Sequence, residues 1–153
     1  KPHPDVEAGL RPGAIPPEAI EGLADVVLPG TDPATLLPLV NEVWTMTSLL
    51  GFEALLRGVR VTTIGAPFYA GWGLTRDLGE TPARRSARPT LAGLVHATLI
   101  DYPRYRDPVS GLPCSVEVVA ERLAHGPLPR PGRANRALAK LQGALATHAR
   151  LWR

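Results

Sequence analysis

The sequence predicts an α/β fold: a Rossmann-like parallel sheet flanked by helices, followed by a C-terminal helical tail. Three observations carry this expectation. "EVWTM", "SLLGFEALLRG" and "VRVTTIG" read as apolar strand, leucine-rich helix and β-branched strand, a βαβ unit whose right-handed crossover implies parallel pairing. Fifteen glycines and seventeen prolines are scattered through the chain and punctuate elements. With 153 residues, 44% of them hydrophobic, the chain can bury the core of one domain or of one half of a two-domain enzyme.

Taken in order, "KPHPDV" is expected to be extended, because a residue before proline is pushed out of the helical region. "PPEAIEGL" predicts a short helix with Pro17 in its first turn, and "ADVVLPG" a strand. "TDPATLLPLVN" predicts a helix capped by Thr31 or Asp32 and continued by Pro33. In the βαβ unit, Gly58 closes the helix and Gly65 the second strand. "APFYAGWGLTRDLGETPARRSARP" is too rich in Gly and Pro for regular structure, and a connection of that length is usually functional or mobile. Helices then follow Thr90 in "TLAGLVHATLIDYP" and end at Gly126 in "CSVEVVAERLAHG". The expected organisation is a Rossmann-like domain over 1–126, a proline-rich linker over 127–133 and a basic amphipathic helix over 134–153.

Charge is uneven. Residues 1–80 hold five Lys/Arg against ten Asp/Glu, whereas residues 81–153 hold twelve against four. A solvated basic helix explains most of this asymmetry; the alternative is attraction to an anionic membrane surface or a polyanionic substrate. No recognised motif accompanies the charge, so nucleic acid is not an expected partner. The single Cys114 excludes an internal disulfide framework and fits a reducing compartment. No run is apolar enough to predict a membrane span. A first residue that is Lys1, not methionine, predicts a piece of a longer protein. Four scattered histidines and no acidic cluster predict no metal site. His96 is expected as a satisfied core residue, Arg84, Arg85 and Arg88 as solvated, and Asp101, Tyr102 and Tyr105 as serving helix termination and packing.

The chemistry-bearing candidates cluster where the first strand of the βαβ unit meets its helix. In open α/β sheets ligands bind beyond the carboxyl ends of the strands, where the next helix offers free N–H groups and a positive dipole end. Thr47 and Ser48 stand at that junction, Gly51 removes a side chain from the first turn, and Glu53 lies five residues after Ser48. A phosphate on the helix start would let a ribose reach the Glu53 carboxylate. Singly, these residues read as readily as an N-cap, a close helix–sheet contact and a solvated acid; together they favour a nucleotide.

The Thr-Ser to Glu arrangement resembles the donor half of GT-B glycosyltransferases. The longer strings "KPHPDVEAGLR", "TSLLGFEALLRGVRVTTIGAPFYAGWGLTRD" and "LVHATLIDYPRYRDPVSG" resemble the capsular polysaccharide biosynthesis and export family of KpsC/LipB type, from Lys1 to about His125. That resemblance implies a cytoplasmic glycosyltransferase, peripheral on the inner membrane, that uses CMP-β-Kdo as substrate, needs no cofactor and builds a β-Kdo linker on a lipid-linked acceptor. It implies that His3 and Pro4 belong to the CMP-sugar site with Lys1 adding charge, that Thr47 and Ser48 contact phosphate, and that Glu53 holds ribose. The loop with Phe68, Tyr69, Gly71, Trp72 and Gly73 would lie beside the donor. The catalytic residues are expected from the N-terminal remainder of the same protein. Two other readings stand beside this one: a non-catalytic capsule assembly or export module, and a nucleotide-sugar epimerase-like domain.

Overall fold

Short prolines and caps set the pattern of the computed structural model, which describes residues 1–10, 12–126 and 138. The expected linker at 127–133 lies outside the described residues, as does the expected helix at 134–153 apart from Leu138. Lys1–Thr31 belongs to one compact unit and Asp32–Leu128 forms another.

In the first unit, α1 spans Pro4–Glu7 and a 3-10 turn spans Pro17–Ala19. The expected extended start is therefore a helix. The restriction that proline imposes acts on His3, which is indeed extended (φ −73°, ψ 138°), whereas Pro4 occupies the first helical position, where its missing N–H is no loss. The strand expected at "ADVVLPG" does not form. Val26 and Val27 stay exposed, and β-branched residues favour strands only where a neighbouring surface covers them.

In the second unit, α2 (Pro33–Leu36) is capped by Asp32, whose carboxylate accepts the Ala34 N–H, and tightens into a 3-10 turn over Leu37–Leu39. The βαβ unit follows as expected: β1 (Glu42–Thr45), α3 (Leu49–Leu56) and β2 (Arg60–Thr63), with β1 and β2 parallel and Val43 opposite Val61. The long connection is not wholly irregular. Its Arg76–Asp77 forms β3, parallel to β2, and gives a sheet ordered β1-β2-β3. Next, α4 (Leu91–His96) starts at the Thr90 cap and runs into a π-helical turn over Ala97–Asp101. A small antiparallel hairpin, β4 (Tyr105–Arg106) with β5 (Pro113–Cys114), precedes α5 (Val116–His125).

The core gathers Leu37, Phe52, Ala54, Leu55, Val61, Tyr69 and Leu94. Every residue of β2 except Arg60 is buried, including two hydroxyls. Both hydroxyls are satisfied: Thr62 donates to the Glu42 carboxylate at 2.6 Å and Thr63 to Asp77 at 2.9 Å. The Thr62 hydroxyl also holds the Glu42 carboxyl below the usual carboxylate range.

Candidate functional site

The carboxyl end of β1 leads directly into α3. Thr45 Oγ1 accepts the Ser48 N–H at 3.2 Å, and Ser48 Oγ accepts the Leu50 N–H at 3.2 Å. Ser48 is thus the N-cap of α3, with its hydroxyl proton still able to donate. Thr47 is exposed on the same turn. Glu53 sits further along α3 with its side chain about two-fifths exposed; its nearest charged neighbour is Arg57, 4.0 Å away and itself exposed. The carboxylate is therefore open to solvent on the helix that begins at Ser48.

Gly51 is buried, and the space beside it belongs to Tyr69. A Cβ there would run into the Tyr69 hydroxyl and approach Cζ to 2.8 Å. Tyr69 itself is fully buried and donates its hydroxyl to the Ser48 carbonyl. Burial pushes the phenol up to about 12, so it stays protonated and able to donate at neutral pH. Its ring therefore lies in the core beneath α3, not on the surface beside it.

The rest of the aromatic loop is pinned from several sides. Phe68 packs 5.0 Å from Phe52 and edge-on to Tyr69, and the Trp72 indole donates to the Phe68 carbonyl at 2.7 Å. Gly71, at φ +83°, turns its N–H onto Asp77 at 2.9 Å. Asp77 also accepts the Thr63 and Thr75 hydroxyls, at 2.9 and 2.6 Å. Gly73 is exposed with φ +84°. Arg85, expected in solvent, instead donates to the Pro67 and Ala70 carbonyls at 2.6 and 2.7 Å and lies over Trp72. A guanidinium with five fixed donors can hold two carbonyls and still stack. Beside this loop lies a mostly apolar groove of about 860 Å³, lined by Leu49, Phe52, Phe68, Trp72, Leu94 and Tyr102, with Arg84 and Arg85 among its polar walls.

Lys1, His3 and Pro4 belong to the other unit. His3 caps α1, its Nδ1 accepting the Asp5 N–H at 3.1 Å, and Pro4 opens that helix. Lys1 pairs with Glu7, whose second oxygen accepts the Gly30 N–H at 2.7 Å. The Lys1 hydrogen bond, then that of Gly30, lowers the Glu7 pKa.

Two residues depart from expectation or escaped it. His96 is exposed, its Nδ1 3.0 Å from the Asp101 carboxylate, because the π-helical turn rotates Asp101 beneath it. Asp107 is the buried acid that sequence reading missed. It accepts the Val109 and Ser110 N–H groups, the Ser110 hydroxyl and Arg122 Nε at 3.2 Å. Those bonds, that of Val109 foremost, bring its pKa down to about 2. An Asp followed by Pro, Val and Ser is a turn signal that could have indicated it. Among the described residues no group of three or more His, Cys, Asp or Glu could hold a metal ion, and no helix is long and apolar enough to cross a membrane.

In open parallel α/β sheets ligands bind beyond the carboxyl ends of the strands, and the turn from β1 into α3 occupies such an end. Residues 1–105 match the model of the family described as capsule polysaccharide biosynthesis protein. The chain is 50% identical over 123 residues to capsule polysaccharide modification protein LipA of Neisseria meningitidis serogroup B, an alignment covering 80% of this chain and 17% of LipA. It is 48% identical over 105 residues to lipopolysaccharide-processing protein LpsZ of Rhizobium meliloti, covering 69% of this chain and 24% of LpsZ. Two solved structures from Thermosulfurimonas dismutans are similar. KpsC β-Kdo 2,4 transferase superposes with TM-score 0.63 at 37% identity, covering 79% of this chain and 37% of its own. KpsC β-Kdo 2,7 transferase does so with TM-score 0.69 at 35% identity, covering 81% and 39%. The chain belongs to the capsule polysaccharide biosynthesis family of KpsC/LipB type. It spans less than a quarter of the length of these curated relatives.

Proposed function

We propose that this chain is the donor-binding half of a GT-B β-Kdo transferase that takes CMP-Kdo and extends a lipid-linked acceptor at the cytoplasmic face of the inner membrane. The observation that carries the reading is the likeness to both KpsC transferases, at 37% and 35% identity, over about four-fifths of this chain and under two-fifths of theirs. A likeness of that extent fits one domain of a two-domain enzyme.

In this reading the amides at the start of α3, with the Thr47 and Ser48 hydroxyls, hold the CMP phosphate. Glu53 accepts the ribose hydroxyls from further along the same helix. Transfer requires stabilising the departing phosphate, and donors fixed in advance supply this without reorganisation. The group that attacks or activates at the anomeric carbon comes from the rest of the protein, so this chain binds CMP without transferring sugar.

Calorimetric titration with CMP and UMP, alongside Glu53→Ala, tests the reading. The expected result is CMP binding that weakens at least about tenfold in the variant, since bonds to a charged carboxylate are lost, and little response to UMP. A folded chain that binds neither nucleotide would favour the non-catalytic capsule module, and a preference for UMP the epimerase-like domain.

A further inference from the structure

The Tyr69 phenol is a buried titratable group to which the donor reading gives no task. A phenylalanine would fill the same space beside Gly51 with no buried hydroxyl to satisfy. What the hydroxyl adds is one bond, to the Ser48 carbonyl. That carbonyl already receives the Gly51 N–H at 3.2 Å, so the helix can start without it.

The peptide bond makes the extra contact consequential. The Ser48 carbonyl and the Leu49 N–H lie in one planar trans unit and point in opposite directions. Drawing the carbonyl into the core aims the Leu49 N–H outward from the start of α3, and that amide is one of those a helix leaves without an intrahelical partner. The residue that draws it is itself fixed. Arg85 holds the carbonyls of Pro67 and Ala70 on either side of Tyr69, and Asp77 holds the Gly71 N–H.

Resting on the donor-site reading, we propose that Tyr69 is a positioning residue: its hydroxyl orients the Ser48–Leu49 peptide so that the Leu49 N–H meets the nucleotide phosphate. The ligand chemistry it serves is the phosphate and not the nucleoside.

Titrating the folded chain and its Tyr69→Phe variant with CMP and with cytidine separates these parts, with amide exchange read in parallel. The hydroxyl's loss should weaken CMP about fivefold, as for one hydrogen bond, and leave cytidine unchanged. The Leu50 amide, held by the Ser48 hydroxyl, should exchange faster while those of β2 keep their rates. Gly51→Ala, whose Cβ would meet the Tyr69 hydroxyl and displace it, should give the same phosphate-selective loss and provides a second variant should the first fail to fold. CMP affinity unchanged in Tyr69→Phe, or lost in equal proportion with cytidine, would overturn the proposal and leave the donor site standing. Wild-type chain that binds no CMP would remove the donor reading and this proposal together.

Discussion

Two regions of the second unit are built on different physics. The β1–α3–β2 layer with its aromatic turn holds all but two of the core residues, Leu37 and Leu94, and buries rings, methyls and hydroxyls against one another. The segment from the π-helical turn through α5 buries only Asp107 among its described residues, and α5 leaves Leu123 exposed. The first is stabilised chiefly by apolar area, which does not titrate. The second converges on one carboxylate, which stabilises only while ionised. A chain that presents its candidate phosphate turn on the first region keeps that turn on its stiffest part.

The largest way to break this contrast is Phe52→Ala. It removes a buried ring in contact with Phe68 and Tyr69 and should destabilise by about 3–5 kcal/mol, visible as a lower urea midpoint. A midpoint left unmoved would mean that the layer is not the core.

Asp107→Asn should act on the other region alone. Amide exchange in α5 and the hairpin should rise sharply while β2 keeps its protection; equal loss in both would show that the two regions unfold as one.

Acid and alkali should separate the regions again. Asp107 titrates near 2 when folded against an ordinary 3.8, so its contribution is complete above about pH 4 and disappears as pH falls towards 2. Tyr69 is raised from 10 to about 12, so its contribution is complete below about pH 10 and disappears as pH rises through 12. Exchange protection of the β2 amides should therefore hold in acid longer than that of α5 does. The smallest effect belongs to Glu53→Ala. Its surface pairing with Arg57 should change stability by no more than about 0.5 kcal/mol, so a larger shift in urea unfolding would show that Glu53 serves the fold.

The sequence by itself determined what a few consecutive residues can decide. The βαβ order, the caps at Asp32, Ser48 and Thr90, and the helix ending at Gly126 follow from local backbone sterics and from side chains that bond two or three positions away. Two-residue strands such as β3, β4 and β5 are too short for any periodicity to register. Only the tertiary structure decided which aromatic faces the core, that Gly51 makes room for Tyr69, that Arg85 clamps a turn, that Val26 finds no sheet, and that Asp77 and Asp107 are hubs. Those outcomes depend on residues far apart in the chain, 21 positions between Tyr69 and Ser48 and 15 between Asp107 and Arg122, and are set by what the folded core leaves room for and by which buried polar group needs a partner.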